Sequence, residues 1–115
     1  MNLDQKLQDE IRVLHAELCS ALADPTRIMI LYLLADQPHS VNELVGLLNS
    51  GQSNVSRQLQ ILRSRNLVWA VREGNKVVYS LSDKRVIQAL DIMREVMSEQ
   101  IKRQADLVEH VVTNP

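Results

Sequence analysis

Side chains able to form paired hydrogen bonds are concentrated between residues 52 and 63 of the 115-residue chain. In this segment Val55, Leu59 and Leu62 recur at helical spacing, which predicts a helix that turns these apolar residues inward. Amide and guanidinium groups hydrogen-bond in pairs to base edges in the major groove of DNA, and hydroxyl groups suit phosphate oxygens. The pattern therefore predicts a helix that reads DNA. Its outward-facing residues are Gln52, Ser53, Ser56, Arg57, Gln60 and Arg63.

Charge is distributed unevenly along the chain. The formal net charge is −1, which is unusual for a protein that binds nucleic acid. Residues 51–85, however, carry seven basic and two acidic side chains, a net charge of +5. A basic run by itself usually indicates only a solvated surface, but this one coincides with the predicted DNA-reading helix. We therefore expect the segment to contact phosphate groups.

The first third of the chain has a helical pattern. Apolar residues recur every three or four positions and predict a first helix over 3–23. Asp24 then offers an N-cap and Pro25 a residue suited to the first helical position, so a second helix is expected to start there. The apolar run 28–35 in this segment is also typical of a buried strand, but the Asp-Pro start favours a helix.

A third helix and a tight turn precede the DNA-reading helix. Ser40 and Glu43 have the spacing of a capping box, which predicts a helix start. Residues 49–51, Asn-Ser-Gly, are typical of a turn that joins two helices at a steep angle. The fourth helix is then expected to begin near Gln52.

The last part of the chain predicts a hairpin and a long helix. Residues 67–72 and 76–81 are rich in β-branched and aromatic side chains, with turn-forming residues around Gly74 between them. From Asp83 an apolar stripe continues and predicts a helix over 83–112.

This order of elements predicts a mainly α fold with a β-hairpin wing, a winged helix-turn-helix. We expect one domain over 1–115, with the helix-turn-helix at 40–66 and the wing at 67–81. The hairpin tip is expected to reach the DNA backbone or minor groove. The polar residues near this tip are Arg72, Asn75 and Lys76.

Several short motifs occur in an order that is specific when they are taken together. Over about residues 18–83 they are Leu22-Ala23-Asp24-Pro25-Thr26-Arg27-Ile28, Val41-Asn42-Glu43-Leu44, Gln52-Ser53-Asn54-Val55-Ser56-Arg57-Gln58-Leu59, Leu62-Arg63, Asn66-Leu67-Val68 and Tyr79-Ser80-Leu81. This ordered set resembles the ArsR/SmtB family of repressors.

The resemblance implies a repressor that binds a double-stranded DNA operator, with the helix from Gln52 as the recognition helix. It also implies a homodimer built from the predicted helices at 3–23 and 83–112, whose apolar stripes would otherwise be exposed. With the side chains of that helix and of the wing tip, the expected DNA contacts are Gln52, Ser53, Asn54, Ser56, Arg57, Gln60, Arg63, Arg72, Asn75 and Lys76. In the turn the chain departs from the family, since Ser50 replaces a usual apolar residue and Gly51 a usual serine cap.

The metal ligands of many family members are missing. In the third helix Ser40 and Asn42 stand where two cysteines would bind a soft metal, and neither offers a thiolate. At the family's second site, on the last helix, two of the four ligands are absent. The residues at that site are Asp83, Arg85, Val96 and Glu99. We therefore expect no metal, no cofactor and no response to zinc, nickel or arsenic.

His15 and Cys19 are a further pair to test, because a spacing of four places both on one helix face and both residue types bind metals. Two ligands do not make a site, and another pair from the partner chain, for example one that includes His110, would be needed. The preferred interpretation is a small buried Cys19 beside a surface His15. Arg27 is expected to pair with Asp24 rather than to contact DNA.

Other function classes have less support. The sequence contains no glycine-rich phosphate loop, no HExxH motif and no evident pair of catalytic carboxylates, so we expect no enzyme. A winged-helix protein-interaction module without DNA binding is the alternative, because the fold has several uses. Neither the operator nor the inducing signal follows from the sequence.

The cellular compartment follows from three features of the sequence. The charged first ten residues do not resemble a secretory signal, the longest apolar run is too short for a membrane span, and there is one cysteine. A cytoplasmic protein is expected.

Overall fold

A computed structural model describes residues 2–113, so Met1 and residues 114–115 of the predicted domain lie outside the described residues. The elements up to Asp83 form one compact unit, and the last helix belongs to a second. The helices of the first unit are α1 (Gln5–Leu14), α2 (Pro25–Asp36), α3 (Val41–Leu48) and α4 (Gln52–Ser64). Its strands are β1 (His39–Ser40), β2 (Val68–Glu73) and β3 (Lys76–Leu81), and the second unit contains α5 (Arg85–Thr113).

The first helix is not one continuous α-helix as predicted for residues 3–23. It begins at Gln5, because the Asp4 carboxylate caps it by accepting a hydrogen bond from the Leu7 amide at 2.7 Å. After α1 a π-helical segment follows over His15–Cys19. An apolar repeat of three or four residues predicts an α-helix, and one π-helical turn with its i→i+5 hydrogen bonds leaves no recognised signal in that pattern.

Helix α2 starts as expected and is a buried helix rather than a strand. The Asp24 carboxylate accepts a hydrogen bond from the Thr26 amide at 2.7 Å, with Pro25 in the first helical turn. Its apolar side chains are central to the core of the first unit. Fully buried core residues are Ile30, Leu31, Leu44, Val55, Leu59, Leu62 and Val68.

The predicted capping box at the start of α3 is present in a variant form, in which the Glu43 carboxylate bonds to the Ser40 hydroxyl. The Glu43 amide donates to the Ser40 hydroxyl at 3.2 Å, and this hydroxyl donates to the Glu43 carboxylate, also at 3.2 Å. The same carboxylate lies 2.9 Å from Nδ1 of the buried His39. These hydrogen bonds, from His39 first and then from Ser40, lower the pKa of Glu43.

A short strand that the sequence analysis missed adds to the hairpin. Strand β1 pairs antiparallel with β3, placing His39 opposite Tyr79, and the sheet order is β1-β3-β2. Two residues are too few to show the alternation by which strands are recognised. The predicted order of four helices, a hairpin and a fifth helix therefore gains one strand between the second and third helices.

The wing is an antiparallel hairpin, as predicted. Strands β2 and β3 pair from Val68 opposite Leu81 to Glu73 opposite Lys76. Gly74 has a φ of 63° in the connecting turn, a conformation that glycine adopts without steric cost. The structure thus confirms the mainly α fold with a small antiparallel hairpin.

Helix α5 starts at Arg85, two residues after the predicted start at Asp83. Along it many large apolar side chains are exposed, including Met93, Met97 and Ile101. Within residues 2–113 no helix combines the length and apolar character needed to cross a bilayer. The division of the chain into helix-turn-helix, wing and dimerisation helices stays a prediction.

Candidate nucleic-acid interface

The turn between α3 and α4 sets the direction of α4. Asn49 ends α3 in the left-handed conformation, with φ 51° and ψ 47°. The Ser50 amide donates to the Val45 carbonyl at 3.3 Å, and Gly51, in extended conformation, is the N-cap of α4. No side chain caps α4 there, because glycine has none to offer.

Helix α4 is held by one fully buried face. Val55, Leu59 and Leu62 each have 0% of their surface exposed, so this side of the helix is fixed in the core. The opposite side is solvent-exposed, as the helical pattern predicts. The exposed residues are Gln52, Ser53, Ser56, Arg57, Gln60 and Arg63. Whether they contact DNA stays a prediction.

Asn54, another predicted DNA contact, is half-buried and already engaged within the protein. Its amide nitrogen donates to the Ser50 hydroxyl at 3.0 Å. Its amide oxygen accepts from the Arg57 guanidinium at 3.0 Å and from the Gln58 amide at 3.1 Å. Asn54 therefore differs from its exposed neighbours, since its polar groups are occupied before any ligand binds.

Gln58 is a polar residue that the sequence analysis did not single out, and it is only 5% exposed. Its position three after Val55 and one before Leu59 continues the inward-facing repeat, and that repeat is the signal that could have identified it. A buried amide needs partners, and Gln58 has one on each side, Arg27 and Asn54.

Arg27 pairs with Asp24 as expected, but this is the longest of its polar contacts, at 3.9 Å. Its guanidinium donates to the carbonyls of Ala21 at 2.6 Å and Ser20 at 3.2 Å, and to the side-chain oxygen of Gln58 at 2.7 Å. Arg27 thereby connects the backbone that follows the π-helical segment to α4.

The wing places its predicted contact residues at the hairpin tip. Arg72, Asn75 and Lys76 are all exposed, and Arg72 Nε lies 3.4 Å from the Gly74 carbonyl. Trp69, nearer the base of β2, is also exposed. The tip therefore offers cationic and amide groups to solvent on a short, defined hairpin.

Cys19 is exposed, so the expectation that it is a buried hydrophobe is wrong. The expectation rested on the usual burial of free cysteine, whereas this cysteine lies in the π-helical segment with its side chain exposed. His15 is exposed, as expected. Among residues 2–113 no three His, Cys, Asp or Glu side chains cluster as a metal site. Ser40, which stands where the resemblance places a cysteine, is hydrogen-bonded to Glu43.

Comparison with known proteins identifies the family. The model for "Bacterial regulatory protein, arsR family" matches residues 24–69, which include the whole helix-turn-helix. The HTH-type transcriptional regulator Rv0081 of Mycobacterium tuberculosis is 37% identical over 100 residues, covering 84% of this chain and 85% of that protein. The chain belongs to the ArsR family.

A second relative and a solved structure are also similar to this ArsR-family chain. The transcriptional repressor SmtB homolog of Synechocystis is 43% identical over 96 residues, covering 84% of this chain but only 66% of that relative. The crystal structure of Rv0081 has a TM-score of 0.74 at 34% identity, with 83% of this chain and 96% of that chain covered.

A homodimeric winged helix-turn-helix DNA-binding domain, Mb0332 of Mycobacterium bovis, also has a TM-score of 0.74, at 26% identity. The match covers 90% of this chain and 95% of that one. The winged helix-turn-helix fold is therefore shown by both sequence and structure.

The uncapped start of α4 leads to a prediction about stability. Gly51 has a φ of −66°, which any residue can adopt, and a side chain there would meet no atom within 4 Å. Gly51→Ser should therefore stabilise the protein by about 0.5 to 1 kcal/mol, through a better cap and a less flexible unfolded chain. Urea unfolding measures this, with Gly51→Ala as the control that lacks the capping oxygen. A serine variant no more stable than the alanine variant would contradict the capping argument.

Proposed function

We propose that this ArsR-family chain is a sequence-specific DNA-binding transcriptional repressor that acts as a homodimer. The observation that carries the proposal is the two-sided nature of α4. Its apolar face is fully buried, and its opposite face presents amide, guanidinium and hydroxyl groups. A helix of this kind, second in a helix-turn-helix, fits the major groove of DNA.

The exposed residues of α4 divide by chemistry. Gln52, Arg57 and Gln60 have the paired donors or acceptors that distinguish one base pair from another. Ser53, Ser56 and Arg63 suit phosphate oxygens, as do the free amides in the first turn of the helix. Asn54 contributes mainly by holding Arg57, given its existing hydrogen bonds.

The wing supplies affinity rather than specificity in this proposal. Arg72 and Lys76 near its tip are exposed cations on a short hairpin, and Asn75 lies in the turn between them. Cations at such a tip neutralise phosphates and release counterions whatever the base sequence.

The proposed dimer rests on unpartnered apolar surface. Leu7, Ile11 and Leu14 of α1 are exposed, and so are Met93 and Met97 of α5. Apolar stripes of this length are rare on monomers and typical of subunit interfaces. The homodimeric state of Mb0332, with the same fold, supports the same assembly here. A two-fold dimer would present two α4 helices to two half-sites one helical turn apart.

We infer that the signal that releases the repressor is not a metal. Support comes from the serine, asparagine, arginine and valine that stand at family ligand positions. The alternative function, a protein-interaction module, has less support because the basic segment coincides with the exposed face of α4. Relatives of the chain are regulators, which favours a non-enzymatic, cytoplasmic role.

The division of labour between α4 and the wing can be tested on a duplex selected by the purified protein from random sequences. On this selected duplex, Gln52→Ala and Arg57→Ala should each reduce the binding free energy by about 1 to 3 kcal/mol, because they remove base contacts. On a scrambled duplex the loss of binding free energy should be smaller. Lys76→Ala should weaken binding to both duplexes alike. It should also lower the slope of log affinity against log salt concentration by about one unit for each phosphate that it leaves without a cation.

The measurement is binding by gel shift at several salt concentrations, with Lys102→Ala on α5 as the control for removal of a charge. Equal losses of affinity on both duplexes for the α4 variants, with a selective loss for Lys76→Ala, would reverse the assignment. A wild-type protein that prefers no duplex would favour the protein-interaction alternative.

The dimer is tested by light scattering at micromolar concentration. The wild-type protein should have twice the chain mass of 13.1 kDa. Met97→Glu should raise the dimer dissociation constant by about tenfold or more, because a buried methionine contributes roughly 1.5 to 3 kcal/mol. Val71→Glu, at an equally exposed apolar residue of the wing, is the control and should stay dimeric. A stable wild-type monomer would contradict the proposal.

Metal independence is tested by repeating the gel shift with zinc, cadmium or nickel. Metal control in a repressor couples metal and DNA affinities by roughly 5- to 150-fold. Here the affinity should change by less than about fivefold. A larger loss that Cys19→Ser abolishes would show instead that Cys19 belongs to a metal site completed by the partner chain.

A further inference from the structure

We propose that Arg27 and Gln58 are positioning residues for DNA reading, which orient the Arg57 guanidinium through Asn54 without touching DNA themselves. The inference rests on the proposed function, in which Arg57 reads a base edge. Arg27 and Gln58 would orient that side chain from inside the protein. We call the hydrogen-bonded series Arg27, Gln58, Asn54 and Arg57 the relay.

The relay begins at a fixed point. Arg27 is largely buried, and its guanidinium is anchored by the Ala21 and Ser20 carbonyls at 2.6 and 3.2 Å. These carbonyls follow the π-helical segment, and the Ser20 carbonyl also accepts from the Ala23 amide at 3.3 Å, so both belong to ordered backbone. The third contact, 2.7 Å to Gln58, therefore comes from a donor that cannot easily move.

Arginine carries only donors, and this fixes the orientation of the buried Gln58 amide. The Gln58 oxygen must face Arg27, so its nitrogen faces Asn54, to which it donates at 3.1 Å. If the amide of Gln58 were reversed, two donors would face each other at Arg27 and two acceptors at Asn54. Arg27 thus determines what Gln58 presents to Asn54.

The orientation of the Asn54 amide is set by two donors, Gln58 and Arg57, because the Ser50 hydroxyl can donate as well as accept and selects neither orientation. Its nitrogen donates to the Ser50 hydroxyl, and its oxygen accepts from both Gln58 and Arg57. Arg57, although exposed, therefore has its guanidinium hydrogen-bonded to Asn54 at 3.0 Å before DNA arrives, which restricts its orientation. Holding a long side chain in advance lowers the entropy cost of binding.

A purely structural role for Arg27 and Gln58 is the competing explanation, and Gln58→Glu separates the two. A glutamate still accepts from Arg27, and pairs with it more strongly, so the fold should be retained. It cannot donate to Asn54, which would then reverse its amide and withdraw the acceptor from Arg57. Thermal unfolding of the variant checks that the fold is retained.

The decisive experiment is a double-mutant cycle on the selected and scrambled duplexes. Gln58→Glu should reduce the preference for the selected duplex by roughly three- to tenfold, the typical effect of ordering one long side chain. In an Arg57→Ala background it should reduce the preference no further, because its effect passes through Arg57. The ratio of affinities is used since an added negative charge weakens binding to both duplexes. Additive reductions would overturn the proposal.

Glu17→Ala is the matched control, because it removes both the charge and the oxygen acceptor that Arg65 contacts. It removes the 3.1 Å ion pair between Glu17 and Arg65, a second link from the first helix to the region of α4 that bypasses the relay. The preference for the selected duplex should stay unchanged. An equal reduction in this control would show that any loosening of α4 has the same effect, and the relay would be rejected.

A measurement without DNA tests the relay independently of the proposed function. In the free protein, NMR order parameters of the Arg57 side-chain Nε should be high and should fall in Gln58→Glu. If that variant does not fold, Arg27→Lys serves instead, because its single ammonium cannot reproduce the forked contacts. Unchanged order would overturn the relay, whereas failure of the wild type to prefer any duplex would overturn the proposed function alone.

Discussion

The burial of one face of α4 is the constraint on which the rest of the structure depends. Val55, Leu59 and Leu62 are fully enclosed, so the rotation of this helix about its own axis is set by the core. Rotating the helix by one residue would exchange buried leucine for polar groups, which costs free energy through both transfer and unmade hydrogen bonds. The exposed face, with its amides and guanidinium groups, is determined by the same packing. Reading a specific base sequence requires side chains that the protein holds in a defined position.

Periodic elements and their ends could be predicted from the sequence, because their causes are local. Asp24 with Pro25, and Ser40 with Glu43, start helices through hydrogen bonds within a few residues, and each is present. The missed features depend on distant partners or break the period. Strand β1 exists only through pairing with β3, and the π-helical segment over His15–Cys19 interrupts the α-helical period.

In the candidate site, too, features with local causes could be predicted and features that depend on distant partners could not. The exposed residues of α4 follow from the spacing of its apolar ones, so sequence sufficed to name them. The engagement of Asn54 and the burial of Gln58 depend on Arg27, which is 31 residues away from Gln58 in the sequence. The inward-facing repeat at 55, 58, 59 and 62 already placed Gln58 on the buried side. Only the structure shows which partner makes that burial acceptable.

Gly51 shows how stability and binding oppose each other at the start of α4. A glycine N-cap supplies no acceptor, so the first amides of the helix lack a side-chain cap. Under the proposed function these amides are the donors that a DNA phosphate would take, aided by the helix dipole. A serine cap would occupy one of them and stabilise the free protein, and the phosphate would then have to displace it. Under the proposed function, the missing cap therefore leaves these amides open to a phosphate in this chain, in exchange for a less stable helix start in the free protein.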